Sequence, residues 1–495
     1  MSGLFSKDAD TALDPLNKSL IFSALCSFII VSLALLLSIG LRSISIDSSR
    51  ATWLGVLLIP IITGNLSSAF VWKIALLDHP IFFRSYMLKF IMVGITLFWQ
   101  YGTFFIYLFW LNSQFIPKDR LQYAVSGKLS FYETIRDMVL PVQRNLYALV
   151  YTVSFISFFY EETRIGLIFR SSRGTHTELI SQWLNRLYRT DSSLSPDLAF
   201  TSVATASMMI FVAGLVGLLV MLGIKTMIFN KIVKGNRSFS FLRKTRYMSG
   251  WLLWALLCFV LFPLVYAVVK YAAAAQFSFG IFGISIGITF AAAVLATLFS
   301  IIFAMFCRIA WKNMLSEFNF RSMLFIIAVL MLLFIPPIVI LISGFKWMQF
   351  IDYQSTFSVY IVWIISHVLL SFPLIAAFAI ATHFRVSNRV LDFMAGHKVS
   401  GWRRWKDCFW GPLRVDYILI LVLSFSTIWN ETTVNSILSD TIPSFVTELN
   451  KTISGRGTDY GRAMDFLYIA ILLSMASIFL WNIVLGKIQK EKSIK

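Results

Sequence analysis

Long stretches with almost no charge recur along the whole chain, and they leave it only one solvent. Leu20 to Leu41, Phe90 to Pro117, Leu198 to Ile224 and Ser322 to Gly344 are such runs. Each is near or above the roughly 20 residues that cover about 30 Å of hydrocarbon. With 58% hydrophobic and only 14% charged residues and a mean hydropathy of +0.76, the chain has more apolar surface than a soluble core could hide. It reads as an all-α, polytopic integral membrane protein. The first run is too long for a signal peptide and lacks a small-residue cleavage site, so it reads as a helix.

The net charge of +19 points to a membrane rather than to nucleic acid, because the basic residues sit in connections beside apolar runs. Lys225, Lys231, Lys234, Arg237, Arg243, Lys244 and Arg246 form one such connection, and Lys487, Lys490, Lys492 and Lys495 form the tail. By the positive-inside rule both are expected in the cytoplasm. Cys26, Cys258, Cys307 and Cys408 are scattered, with no CxxC pair and no metal-ligand spacing, so they read as packing residues.

Five spans are expected in the first half, near 20–41, 51–72, 90–114, 145–168 and 198–224. Six are expected in the second, near 249–269, 281–307, 322–344, 358–382, 415–437 and 464–486. Gly280, Gly283 and Gly287 suggest a turn before the helix proper at 281. About 11 crossings (11–12) divide the chain into an N-terminal half 1–230, a basic linker 231–247 and a C-terminal half 248–495. With linker and tail inside, the N-terminus is expected outside. The connection at 73–89, with Lys73, Arg84 and Lys89, fits this topology poorly.

The halves share a pattern. Ser154-Phe155 and Glu161-Glu162-Thr163 answer Ser424-Phe425 and Glu431-Thr432-Thr433 at an offset of 424 − 154 = 270 residues. Upstream of each lies a polar loop, 118–141 in the first half and 384–412 in the second. Ala124-Val125-Ser126-Gly127 leads to Pro141, and Lys398-Val399-Ser400-Gly401 leads to Pro412. A surface helix in such a loop would offer Ala124, Val125, Leu129, Phe131, Val399, Trp402 and Trp405 to a groove in a partner. The glycines would turn the backbone, and each proline would open the next membrane helix with φ already set.

These loops resemble the cytoplasmic loop of type I ABC importer permeases, a Glu-Ala-Ala, three residues, Gly pattern closed by a Leu-Pro. Leu121 to Gly127 with Met138-Val139-Leu140-Pro141 is one copy, and Ala395 to Gly401 with Trp410-Gly411-Pro412 is the other. The leading Glu is absent from both. Phe334-Ile335-Pro336-Pro337 and His367 to Pro373 resemble the family's proline-broken core helices, and Ile59-Pro60-Ile61-Ile62 is a fainter counterpart in the first half. Gly401-Trp402-Arg403-Arg404-Trp405 followed by Trp410-Gly411-Pro412-Leu413-Arg414 is similar to the thiamine type, and the fused two-half layout to the ferric-iron and thiamine types.

The resemblance implies two pseudo-symmetric halves of the type I ABC importer permease fold in a bacterial inner membrane, working by alternating access. It implies that Ser126, Ser400 and the loop residues above are coupling helices. The partners would be an ATPase homodimer on the cytoplasmic face and an external substrate-binding protein, landing near 169–197 and 439–461. The chain has no GxxxxGK[ST] phosphate loop, so no cofactor is expected on it and ATP and Mg would sit in the partner subunits. The cargo would be a small ion or nutrient such as thiamine or ferric iron.

Ser157, Glu161, Pro336, Thr427 and Glu431 are the candidate pathway residues, since polar groups in a membrane are costly and tend to be functional. Glu161 and Glu431 also read as water-facing markers of helix ends. His367 and His383 flank one helix without the spacing of a metal site, and Trp410 and Trp429 read as interfacial anchors. Two rivals remain at this point. An ion-coupled secondary transporter would show buried coupling acids, and a membrane enzyme would need an ordered catalytic set.

Overall fold

A computed structural model describes residues 7–42, 44, 53–63, 65–77, 86–113, 139–159, 161, 164–165, 179, 245–271, 279–314, 356–383 and 405–429, with single positions at 392, 396, 403, 431, 468, 472 and 476. Nearly all of them are helical, and no strand occurs among them. The protein is an all-α, multi-pass, membrane-embedded chain. Four helical segments among the described residues, Asn17–Leu41, Leu88–Trp110, Ser249–Lys270 and Gly283–Arg308, are long and apolar enough to cross a bilayer. Expected crossings at 198–224 and 322–344 lie outside the described residues, and of 464–486 only Tyr468, Leu472 and Ala476 are described, each helical.

The described helices form two compact units. The first opens with α1 (Lys7–Leu41), which starts earlier than the apolar run that marked it. A short 3-10 turn (Gly55–Leu58) leads into α2 (Ile59–Thr63), and α3 (Asn65–Leu77) follows. The sequence reads 51–72 as one crossing, but the two arms meet at 99°. Pro60 lies in the first arm, its carbonyl accepting from Thr63 Oγ1 at 2.9 Å, and in sequence Gly64 separates the two arms, outside the described residues. Proline and glycine lower the cost of leaving the helical path.

α4 (Tyr86–Leu97) and α5 (Thr103–Ser113) are continuous through a π turn, Phe98–Gly102. α6 (Leu140–Phe159) and α7 (Thr245–Tyr271) belong to the same unit, as does the C-terminal stretch Arg456–Lys495. By sequence α7 is the first helix of the second half, yet its packing is with the first unit. A Cβ on Gly40 would lie 2.6 Å from Leu252 Cδ2, so the missing side chain lets α1 and α7 approach closely. Trp99 Nε1 donates to Val260 O at 3.1 Å, and Phe259 sits against Trp72 and Phe98 at centroid distances of 5.6 and 5.8 Å. Aromatic surface on α3, on the π turn and on α7 therefore dictates the docking.

The second unit contains α8 (Phe279–Met314), α9 (Thr356–His383) and α10 (Gly411–Trp429), the last entered through a π turn, Lys406–Trp410. α8 begins at Phe279, so Gly283 and Gly287 lie inside the helix instead of in a turn before it. Ala292, Ala293, Ala296 and Ala304 are buried and let α9 and α10 close on it, the small-residue packing that substitutes for hydrophobic drive in lipid. Phe290, Leu298, Ile302 and Phe306 are exposed on the same helix, as Ile21, Leu25, Phe28 and Leu36 are on α1. Exposed apolar surface of this length is what acyl chains cover.

Among the described residues, several helix ends and local contacts recur at the 270-residue offset of the sequence pattern. Tyr86 to Ser113 spans 12 + 5 + 11 = 28 residues and α9 spans 28, with both ends offset by 356 − 86 = 383 − 113 = 270. α6 and α10 end at Phe159 and Trp429, again 270 apart. Ser154 Oγ donates to Val150 O at 2.6 Å, and Ser424 Oγ to Ile420 O at 2.8 Å. Phe155 stacks on Phe159 as Phe425 stacks on Trp429. Each unit also has a hydroxyl contact between its first long helix and the helix that carries the repeat's Ser-Phe, Ser32 to Tyr147 at 2.9 Å and Thr297 to Ser424 at 2.8 Å, although these two contacts are not at equivalent positions. α7 has no counterpart in this correspondence.

Candidate functional site

The broken helix positions a buried polar cluster in the first unit. Asn65 is the first residue of α3, where backbone N–H groups have no helical partner, and Ser68 is one turn on. The π turn adds a residue to the circuit of the α4–α5 helix and carries Gln100 and Tyr101. Tyr101 OH donates to Asn65 Oδ1 at 3.1 Å. Ser68 Oγ lies within donating distance of Gln100 Oε1 at 3.1 Å and of Asn65 O at 2.8 Å.

Beyond the end of α6, Glu161 N donates to Phe158 O at 3.2 Å, which turns the chain and brings Arg164 into the same cluster. Arg164 Nη1 pairs with Glu161 Oε2, and Arg164 N donates to Glu161 Oε1 at 3.0 Å. Arg164 Nη2 reaches Ser68 Oγ at 3.2 Å and Asn65 Oδ1 at 3.4 Å, and its guanidinium lies 5.5 Å from the Tyr101 ring centroid. Arg164 is 0% and Glu161 4% exposed. Only Arg164 Nε, among the atoms of this group, is buried without a hydrogen-bond partner. A full positive and a full negative charge are thus held out of water by each other and by neutral dipoles, the condition under which burial is tolerable.

The expectation that Glu161 marks a water-facing helix end is therefore corrected, since the turn folds the carboxylate inward onto Arg164. Its counterpart Glu431 makes the same turn, with Glu431 N donating to Ile428 O at 3.2 Å. Its partner differs. Glu431 Oε2 lies 3.7 Å from His367 Nε2 on α9, and its side chain keeps 15% exposure. His367 Nδ1 is 3.0 Å from Trp363 O, and the imidazole stacks on the Trp363 ring at 3.8 Å. Trp429, expected at an interface, is buried against Phe425.

Of the other residues marked by sequence, Ser157 and Thr427 are half-buried on α6 and α10, and Thr427 Oγ1 donates to Leu423 O at 2.8 Å. Pro141 and Pro412 are each the second residue of their helices. Trp405 is half-buried against Trp410, with ring centroids 5.5 Å apart. Ala124, Val125, Ser126, Gly127, Leu129, Phe131, Val399, Ser400, Gly401, Trp402 and Pro336 lie outside the described residues.

The stems of both loops are described, and each is tied across its base. Asn112 Nδ2 donates to Gln143 Oε1 at 2.9 Å, and Gln143 Nε2 to Phe109 O at 3.0 Å. In the second unit Tyr417 OH and His383 Nε2 are 3.0 Å apart. Sequence reasoning missed Asn65, Ser68, Gln100, Tyr101 and Arg164. The available signal was Asn, Gln and Arg inside or beside spans otherwise almost free of polar groups. Among the described residues no group of three or more His, Cys, Asp or Glu is placed to hold a metal ion. No known protein family, characterised protein or solved structure matches the chain.

Proposed function

We propose that the chain is the membrane-spanning subunit of an ATP-driven importer of the type I ABC class, with two permease halves fused in one polypeptide. The observation that carries this reading is the 270-residue repeat, which recurs in helix length, helix ends and local hydrogen bonding. Each copy brings one polar loop whose stem is clamped at its base, so a push on the loop moves two membrane helices together. ATP would be hydrolysed by partner subunits seated on those loops. A bacterial inner membrane, an external binding protein and a small polar cargo such as thiamine or ferric iron belong to the same proposal.

One observation favours a second reading. The Glu161–Arg164 pair at a broken helix is the type of buried charge that ion-coupled carriers use. Reconstitution separates the two. Copurification from the native membrane is expected to bring down an ATPase, and proteoliposomes holding the complex are expected to accumulate cargo only with ATP inside the compartment that faces the loops. Gly127→Asp with Gly401→Asp is expected to abolish that uptake while helix content by circular dichroism is unchanged, because a charged side chain would block the glycine turns. Uptake that survives the double change and follows a proton or sodium gradient would replace this reading with the carrier.

A further inference from the structure

The two equivalent glutamates face different side chains, and the difference defines a site. In the first unit Glu161 is matched by a permanent cation, the guanidinium of Arg164 three residues later. The corresponding position in the second unit is 164 + 270 = 434, and it is Val434. No guanidinium is supplied there by the repeat. What faces Glu431 from α9 is His367, 1% exposed.

The hydrogen-bond geometry determines which imidazole nitrogen carries the hydrogen. Trp363 O is a carbonyl and can only accept, so the 3.0 Å contact from Nδ1 requires Nδ1–H. In the neutral ring Nε2 is then a bare lone pair. That nitrogen is buried and has no hydrogen-bond partner among the described residues, and it points at a carboxylate oxygen 3.7 Å away. Two acceptors facing each other, one of them fully buried, repel unless something positive lies between them. A metal ion would need further ligands to complete its shell, whereas a proton needs only these two atoms.

We propose that His367 and Glu431 form a seat for one exchangeable proton. When it binds, an N–H bond forms at Nε2 or an O–H bond at the Glu431 carboxyl, the proton coming from bulk water through the partly exposed glutamate. The bare acceptor pair becomes a donor–acceptor pair that draws α9 and the end of α10 together. The other described titratable groups on the packed elements are remote. His383 is 16 residues along α9, about 24 Å at 1.5 Å per residue. Tyr417 bonds His383, Arg308 lies near enough to act on it electrostatically, and Cys307 and Arg414 adjoin them in sequence. Tyr360 is nearly two turns back on α9. Glu431 is the described charge that faces Nε2. This inference goes beyond the transport reading and does not depend on an ATPase.

The test is proton counting on the purified full-length chain in detergent, without ATP, taken from about pH 8 to about pH 3, a window wide enough for a buried imidazole or a carboxyl group. The wild type is expected to take up about one proton more than His367→Gln or Glu431→Gln. Emission from Trp363, in contact with the imidazole, is expected to change with that uptake and to lose most of the change in Trp363→Phe. A carboxyl stretching band that appears on acidification and is absent in Glu431→Gln would assign the bound proton to oxygen, and its absence in the wild type would assign it to nitrogen. Equal proton counts in all variants, with circular dichroism showing them folded, would overturn the proposal. So would an emission change driven by sodium or potassium at fixed pH, which would make the seat an alkali-ion site.

Discussion

Replacing Arg164 with alanine is expected to destabilise the first unit by about 3–5 kcal/mol, the usual cost of stranding one partner of a buried ion pair. Arg164 is 0% exposed and contacts Glu161 three residues before it and both Ser68 and Asn65 on α3. Its loss would remove the guanidinium that pairs with the buried Glu161 carboxylate. The pair Glu161→Gln with Arg164→Met removes both charges and keeps most of the volume. It is expected to recover most of the loss, since a buried pair is worth far less than either half of it alone is costly. Unfolding of the purified protein in detergent, followed by circular dichroism against denaturant, would give the three values. A double variant no more stable than Arg164→Ala would show that the arginine acts through packing and not through charge.

Trp99→Ala is expected to cost about 3 kcal/mol, the lower end for removing a buried indole, because lipid solvates exposed apolar surface far better than water does. Trp99 is fully buried and its Nε1 donates to Val260 O on α7. Trp99→Phe keeps the ring and loses one hydrogen bond, so about 1 kcal/mol is expected. The same unfolding measurement checks both. Equal losses in the two variants would mean that the hydrogen bond, and not the packed ring, holds α7 in place.

Membrane embedding and the 270-residue correspondence of Ser154 with Ser424 and Glu161 with Glu431 are legible in the sequence, because hydropathy and residue spacing carry over into structure directly. Hydropathy over a span reflects the solvent each helix meets, and the Ser154/Ser424 and Glu161/Glu431 correspondences reappear as equal hydrogen bonds at equal offsets. The bend at residues 63–65 was not legible, since Pro60 and Gly64 permit a break but do not require one. Nor was the polar cluster. Asn65, Gln100 and Arg164 are 35 and 64 residues apart along the chain, and only the break and the π turn bring them to one place. Glu161 reads as a water-facing helix end from its position along the chain alone. The turn after Phe158, which reverses the direction of the carboxylate, leaves no mark in hydropathy. The partner of Glu431 was equally hidden, as His367 lies 64 residues upstream on another helix.

The placement of α7 determines where the polypeptide can be divided. Cutting within the basic linker at 231–247 would yield an N-terminal fragment whose Trp72, Phe98 and Trp99 present a bare aromatic surface, while the helix that covers them leaves with the other piece. Cutting between Tyr271 and Phe279 keeps that surface and its cover on one fragment. The seam for coexpressing two complementary pieces is therefore not the stretch where charge and composition change most, but a short connection a full helix further on.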